Sequence, residues 1–209
     1  MKRIEFWFDP VSPFAYLAFE RLPEALAGCS YEVAYRPVLF AGLLTHWGQK
    51  GPAEIEPKRQ WTFRHVAWMA HAWGIELQTP ATHPFNPLAL LRLVVAAGAN
   101  RRTVEAVMRH VWRGGGAEAL DAVRLDALAR ELKPARDPGS AEVKAELRAA
   151  TDAAVARGIF GVPTFELDGK LFWGVDALPM LRAALTGDAW FEGAAWDAAA
   201  IARPGVVRS

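Results

Sequence analysis

The sequence predicts an α/β fold in which strands from both ends of the chain form one sheet. Three observations support this prediction. A strand–helix–strand pattern comes first, a strand–strand–helix pattern comes near the other end, and roughly 120 residues with almost no strand signal lie between them. We therefore expect the long middle segment to be a large all-helical insertion.

The first unit consists of residues 3–8 (RIEFWF) and 31–38 (YEVAYRPV), both rich in β-forming residues, with a helix between them. Ser12 is expected at the N-cap of this helix, because its side-chain oxygen can accept a hydrogen bond from a backbone N–H. Pro13 then occupies the first helical position, where a missing N–H is tolerated. This βαβ pattern predicts a right-handed crossover.

The second unit begins with TFELDGKLFWG, two short apolar runs joined by Asp168-Gly169, which is a strong hairpin signal. ALPMLRAALTG then predicts a helix that ends at Gly187. Joined edge to edge, the βαβ and ββα units have the thioredoxin layout. We assign residues 1–40 and 158–209 to this thioredoxin-like domain, and residues 41–157 to the helical insertion domain.

The insertion carries residues at the three- and four-residue spacing of helices. These positions are Trp61, His65, Trp68 and Ala72; Leu88, Leu91 and Val95; Val104, Val107, Met108 and Val111; and Val143, Leu147, Ala150 and Ala154. Segments 74–87, 114–116 and 134–139 contain the Gly and Pro residues expected in the connecting loops. The tail ARPGVVRS, residues 202–209, is expected to be frayed.

Composition and charge exclude several classes of protein. A hydrophobic fraction of 52% and a charged fraction of 22% are typical of a globular domain. The net charge is +1 and the chain has no basic run, so nucleic acid is not an expected partner. No apolar stretch is long enough to span a membrane, and MKRIEFWFDP lacks the apolar core of a signal peptide. We expect a soluble, cytoplasmic protein.

The histidines and the cysteine give no sign of metal or disulfide chemistry. None of the five histidines has a second histidine at the i, i+4 spacing of a helical metal pair, and no cysteine or acidic cluster accompanies them. We therefore expect no metal site. The single cysteine, Cys29, cannot form an internal disulfide and is expected to be structural.

Two features predict a thiol-containing ligand. Ser12 lies at a helix N-terminus, where free N–H groups and the helix dipole favour an anion such as a thiolate. Val162-Pro163-Thr164 precedes an apolar strand and predicts a cis proline, with the Val162 N–H and C=O placed to pair with an extended peptide-like ligand. Because the chain has no Cys-x-x-Cys, the sulfur must come from outside, which suggests glutathione as the cofactor.

The motifs FDPVSPFAYLA, GVPTF and LFWGVDALPML resemble those of the 2-hydroxychromene-2-carboxylate isomerase family, a DsbA-like group related to kappa-class glutathione transferases. GQKGPAEIEPKRQW, HPFNPLALLRL and TDAAVARGIFGVPTF extend the resemblance over residues 3–187. The resemblance implies glutathione-dependent isomerisation of a small aromatic substrate. Homodimers are common among such enzymes, so a homodimer is also expected.

The resemblance implies a role for five residues. Ser12 matches the serine that hydrogen-bonds the glutathione sulfur, and Val162, before Pro163, matches the main-chain anchor of the cysteinyl unit. Lys58 matches a lysine near the glycine carboxylate of glutathione, and Asp176 matches the acid that binds the γ-glutamyl ammonium. Gln49 stands where kappa-class relatives have Asn, a change that keeps the amide and extends it by one methylene.

Several residues keep a second interpretation. Ser12 is also explained as a simple helix cap, Lys58 as a solvated lysine at a helix start, and Asp176 as a cap of the helix at 177–185. Asn86 fits either a turn or a substrate contact. The tryptophans are mostly expected in the core, although three of them are expected to suit a pocket for a flat aromatic substrate: Trp61, Trp68 and Trp173.

Two functional alternatives also remain open. A kappa-type glutathione transferase or peroxidase would use the same thiolate on other electrophiles, and a binding protein would hold glutathione without turnover. A disulfide oxidoreductase is disfavoured, because Ser12 and Ala15 occupy the two positions that its redox pair would need.

Overall fold

A mixed four-stranded sheet joins the two ends of the chain. Its strands are β1 (Lys2–Phe8), β2 (Tyr31–Pro37), β3 (Thr164–Leu167) and β4 (Lys170–Trp173). The order is β2-β1-β3-β4, with β1 parallel to β2 and antiparallel to β3, and β3 antiparallel to β4. The predicted pairing of the two ends is thus confirmed: Phe6 lies opposite Phe165.

The structure is a computed structural model and describes residues 1–201 and residue 205. The prediction of a frayed tail therefore falls, apart from Gly205, outside the described residues. Asp168 and Gly169 form the tight connection between β3 and β4, both with left-handed backbone angles, φ 51° and 77°. Such angles match the twist of a two-residue hairpin, so the predicted hairpin is confirmed.

The remaining regular structure of the described chain is helical. They are α1 (Pro13–Ala25), α2 (Phe40–His46), α3 (Glu56–Trp73), α4 (Leu88–Ala96), α5 (Arg101–Trp112), α6 (Ala122–Leu132), α7 (Ala141–Ala156), α8 (Leu178–Leu185) and α9 (Ala194–Ala199). Three short 3₁₀ turns lie at Pro52–Glu54, Val175–Ala177 and Ala189–Phe191. Six consecutive helices, α2 to α7, separate β2 from β3, which confirms the predicted helical insertion.

The largest buried cluster contains residues of the sheet and of the insertion. Phe6 of β1 stacks on Phe165 of β3 at 4.9 Å between ring centroids, and both belong to the same cluster as Val107 and Trp112 of α5. A second cluster, on α2, α7 and neighbouring strands, includes Trp7. Because successive side chains of a strand point to opposite faces, β1 is covered on both sides.

Hydropathy gives one further observation on the helices of residues 1–201: none combines the length and the apolar character needed to cross a membrane.

Candidate active site

A cleft of about 920 Å³ lies where the β1–α1 turn meets the insertion. Its walls come from the turn, from α2 and the loop after it, from the first half of α3, and from the loops before α4 and β3. The lining residues that bear on chemistry are Asp9, Ser12, Gln49, Lys50, Lys58, His83, Phe160, Val162 and Trp173. Four of the residues predicted to bind glutathione thus share one cleft, namely Ser12, Gln49, Lys58 and Val162.

Ser12 is the N-cap of α1, as predicted, and borders the cleft. Its hydroxyl oxygen accepts a hydrogen bond from the Ala15 backbone N–H at 3.2 Å and its hydroxyl donates one to the Val162 carbonyl at 3.3 Å. Pro13 occupies the first turn of the helix. The positive end of the α1 dipole therefore points at the cleft. Beside it, the Ser12 hydroxyl can exchange its hydrogen bond to the Val162 carbonyl for one to a ligand.

The Val162–Pro163 peptide bond is cis, as predicted. Pro163 does not line the cleft; its carbonyl accepts a hydrogen bond from the Gly174 N–H at 2.9 Å. The Val162 carbonyl is held by Ser12, whereas the Val162 N–H has no hydrogen-bond partner among the described residues. The bend before β3 therefore presents one free backbone donor beside Ser12.

Asp9 is a site residue that sequence reasoning missed. Its carboxylate is completely buried and accepts hydrogen bonds from the backbone N–H groups of Val11 and Phe40, both at 2.9 Å. Burial raises the pKa of Asp9 to about 7, although the two N–H donors act in the opposite direction. The carboxylate ties the turn before Ser12 to the start of α2, so it fixes two walls of the cleft.

His83 is a second residue that sequence reasoning missed as part of the site. It borders the cleft and its Nε2 lies 2.7 Å from the Val11 carbonyl oxygen. Because a carbonyl can only accept, this nitrogen carries the proton. Burial lowers the pKa of His83, so the ring is neutral and its Nδ1 is an acceptor.

Two lysines bring positive charge to the cleft, which the acidic residue Glu54 also lines. Lys58, from α3, lines the cleft as expected, and Lys50 joins it from the loop after α2. Neither lysine forms an ion pair within residues 1–201. Both ammonium groups are therefore available to carboxylates of a ligand. The amide of Gln49 lies beside Lys50 in the chain and also lines the cleft.

Asp176 lies apart from the other predicted residues. It is exposed in the 3₁₀ turn after β4 and does not border the cleft. The alternative role as a helix cap is wrong, because α8 has Ala177 as its N-cap and no side-chain cap hydrogen bond. The carboxylate makes no ion pair with the described residues, so its role toward a ligand stays a prediction.

Aromatic side chains form one wall of the cleft. Trp173 lines it and packs on Phe160 at 4.8 Å between ring centroids, as expected for a residue facing a flat substrate. Trp61 and Trp68 do not line it: they lie on the surface of α3 and are 65% and 64% exposed. Asn86 is a turn residue, since its side-chain oxygen accepts the Leu88 N–H at 3.1 Å.

Two absences concern the chemistry of the site. The described part of the chain contains no group of three or more His, Cys, Asp or Glu side chains placed to hold a metal ion. Cys29 follows α1 at its far end, and the 13 residues of that helix separate it from Ser12 by roughly 20 Å. The described chain therefore places no cysteine thiol at the Ser12 end of α1.

The cleft lies in a fold that comparison with known proteins identifies. A model of the DSBA-like thioredoxin domain matches residues 3–186. The chain belongs to the DSBA-like thioredoxin domain family. The solved structure of a 2-hydroxychromene-2-carboxylate isomerase matches it with a TM-score of 0.78 and 24% sequence identity, covering 91% of this chain and 97% of that chain. The predicted thioredoxin-like fold is thereby confirmed.

Two known proteins are similar to this chain over most of their length. The 2-hydroxychromene-2-carboxylate isomerase of Pseudomonas putida is 31% identical over 193 residues, which cover 87% of this chain and 93% of that protein. Glutathione S-transferase kappa 2 of Caenorhabditis elegans is 27% identical over 202 residues, which cover 86% and 90%. The resemblance stated from the motifs is confirmed.

Proposed function

We propose that this protein is a glutathione-dependent isomerase that interconverts 2-hydroxychromene-2-carboxylate and its ring-opened hydroxybenzylidenepyruvate. One observation carries the proposal: the Ser12 hydroxyl is hydrogen-bonded to Val162 at the amino end of α1, and both residues line a cleft that contains no cysteine of the described chain. Similarity to proteins named as isomerases of this type supports the choice of reaction.

The residues present fit glutathione. Its thiol group would lie at the α1 N-terminus near Ser12, and its cysteinyl amide groups would pair with the Val162 backbone. Lys58, which forms no ion pair with the described residues, complements the glycine carboxylate, and the Gln49 amide offers a further hydrogen bond. Asp176, exposed beyond Trp173 along the chain, complements the γ-glutamyl ammonium.

When bound, glutathione would supply a thiolate nucleophile that adds to the conjugated ring system and leaves after the ring has opened and a carbon–carbon bond has rotated. The protein's contribution is electrostatic. The Ser12 hydroxyl turns from the Val162 carbonyl to the sulfur and, together with the positive end of the α1 dipole, stabilises negative charge there. The Val162 carbonyl then accepts an N–H from the ligand backbone.

The remaining cleft residues hold the aromatic acceptor. Trp173 and Phe160 provide a flat apolar wall against which a bicyclic ring packs. Lys50 provides the second ammonium group, which suits the carboxylate of the substrate while Lys58 serves glutathione. The cleft thus places nucleophile and acceptor side by side, which reduces the entropic cost of their encounter.

The deciding experiment measures equilibration of 2-hydroxychromene-2-carboxylate in three conditions: without thiol, with glutathione, and with S-methylglutathione. S-methylglutathione is the matched control, because it keeps both carboxylates and the ammonium but has no ionisable thiol. We expect turnover with glutathione alone. Equal turnover in all three conditions, or none in any of them, would reject the proposal.

A kappa-type transferase or peroxidase is the second candidate, favoured by the similarity to a kappa-class protein and by the same thiolate-binding geometry. It predicts consumption of glutathione with aromatic halides or peroxides, whereas the isomerase regenerates it. Glutathione binding measured by calorimetry without turnover of any of these substrates would instead indicate a binding protein.

A further inference from the structure

The turn before α1 has no unpaired backbone carbonyl between Asp9 and Ser12. The Asp9 carbonyl accepts the Ser12 N–H at 3.0 Å, and the Ser12 carbonyl accepts the Tyr16 N–H at 3.2 Å. The two carbonyls between them are paired with side chains of the helical insertion. Trp112 Nε1 donates to the Pro10 carbonyl at 2.9 Å, and His83 Nε2 donates to the Val11 carbonyl at 2.7 Å.

These pairings matter for an anion at the α1 N-terminus. A carbonyl oxygen carries partial negative charge, so an unpaired carbonyl beside a thiolate would raise the free energy of the thiolate. A donor from another element draws the carbonyl away and leaves the N–H groups and the hydroxyl directed at the cleft. The Val11 carbonyl belongs to the residue immediately before Ser12, so His83 engages the last carbonyl of the turn ahead of the helix cap.

The surroundings of His83 keep its ring in the tautomer that this contact needs. Its Nδ1 is buried and has no hydrogen-bond partner among the described residues. The ring packs against Phe63 at 5.1 Å, Trp112 at 5.8 Å and Phe85 at 6.2 Å between centroids. A second proton on Nδ1 would find no acceptor in this apolar setting, so the single ring proton stays on Nε2.

We propose that His83, assisted by Trp112, is a positioning residue that stabilises a thiolate beside Ser12 by engaging the carbonyls of the preceding turn. The inference deepens the proposed function and rests on it, since it concerns the anion that Ser12 is proposed to hold. In this view the helical insertion does more than close the cleft: it supplies the donors that make the turn a site for negative charge.

The test measures a thiol at the Ser12 position without glutathione. Ser12→Cys is made together with Cys29→Ser, so that the protein has one thiol, and its pKa is read from the rate of alkylation by iodoacetamide against pH. In this background we expect His83→Phe to raise the thiol pKa by about 0.5–1 unit, because one turn carbonyl is released. His83→Gln keeps a hydrogen-bond donor, so its thiol pKa should rise by no more than half as much as in His83→Phe.

The matched control is His110→Phe. His110 Nε2 also lies near a backbone carbonyl, that of Ala119 at 2.9 Å, and burial also lowers the pKa of its ring. It does not line the cleft, so we expect no shift of the thiol pKa. The other ionisable side chains that line the cleft are Asp9, Lys50, Glu54 and Lys58. They are the same in every variant, so a difference in thiol pKa between variants comes from the substituted residue.

Three outcomes would overturn the proposal: an unchanged thiol pKa in His83→Phe, an equal shift in His110→Phe, or no recovery in His83→Gln. If His83→Phe does not fold, as judged by circular dichroism, Trp112→Phe replaces it. This change removes the indole donor to the Pro10 carbonyl while an aromatic ring stays in the core, and it must also raise the thiol pKa. No outcome depends on glutathione, so a failure of the proposed function would be seen separately, in the assay with S-methylglutathione.

Discussion

The Ser12 hydroxyl donates a hydrogen bond to the Val162 carbonyl oxygen 3.3 Å away, across 150 positions in the chain. This contact joins the amino end of α1 to the bend before β3, so the two halves of the proposed thiolate site are positioned by each other. A ligand that offers an N–H to the Val162 carbonyl would release the Ser12 hydroxyl for the sulfur.

Ser12→Ala is expected to separate the role of Ser12 in folding from its role toward the thiolate. Loss of the cap should cost about 1 kcal/mol in the free energy of unfolding, measured with urea. Ser140→Ala is the matched control, since Ser140 caps α7 through a similar contact with the Val143 N–H at 3.3 Å. Both variants should lose stability.

Only Ser12→Ala should also lose the ultraviolet absorbance of bound thiolate and, with it, about 100-fold in isomerase rate. Glutathione binding, measured by calorimetry, should largely persist. A normal rate in Ser12→Ala would remove Ser12 from the mechanism.

Lys58→Ala is expected to weaken glutathione binding about tenfold, because it removes the ammonium group proposed to pair with the glycine carboxylate. The control is Arg59→Ala, one position further along α3, where the guanidinium pairs with Glu56 and does not line the cleft. Calorimetry at low and high salt should show that glutathione affinity depends more strongly on salt in the wild type than in Lys58→Ala. Equal losses in both variants would contradict the assignment.

Asp176→Asn tests whether the exposed acid after β4 reaches the γ-glutamyl ammonium. Glutathione affinity should fall about three- to tenfold, as expected for a charge pair open to solvent, whereas affinity for cysteinylglycine, which lacks the glutamyl unit, should not change. Asp168→Asn serves as the control, because Asp168 lies in the turn of the preceding β3–β4 hairpin and pairs with Lys2 at 3.2 Å. A parallel loss for cysteinylglycine would argue against the contact.

Asp9 predicts an unusual dependence of stability on pH. Its folded pKa, about 7, lies above its ordinary value of 3.8, so the native state holds a proton that the unfolded chain releases between these values. The stability that this group contributes is present below about pH 4 and is lost as the pH rises to about 7, by at most about 1.4 kcal/mol per pH unit.

Asp9→Asn should remove this part of the pH dependence. Urea unfolding of both proteins at about pH 5 and about pH 8 measures it, and the wild type should lose more stability between the two than the variant. A wild type that gains stability over this range relative to Asp9→Asn would show that the carboxylate is better solvated than its burial indicates.

The parts of the site that could be predicted from sequence depend on local chemistry. A serine followed by proline specifies a helix start, and Val162-Pro163 before an apolar run specifies the bend, so both positions followed from neighbours in the chain. Asp9 and His83 were missed because their significance is tertiary. The Asp9 carboxylate matters through a contact with Phe40, 31 residues away, and no local pattern signals that contact.

Two further differences between the sequence-based predictions and the structure have physical causes: α2 was not predicted as a separate helix, and two tryptophans do not reach the cleft. The α2 helix has no side-chain cap at its N-terminus, and its seven residues are too few for a clear periodic signal. Trp61 and Trp68 follow the helical spacing of α3 but lie on its exposed face. Periodicity identifies which residues share a face, but it does not show whether that face meets the cleft or solvent.

The arrangement of β1 has a consequence for synthesis on the ribosome. One edge of β1 pairs with β2, which is complete at residue 37, but the other edge pairs with β3, which begins only at Thr164. Until β3 has been synthesised, the nascent chain therefore carries an unpaired hydrogen-bonding edge on the aromatic strand β1. Such an edge is prone to pair with other strands. Sheet completion is consequently a late event, and chains that stall before residue 164 should be the ones that chaperones retain.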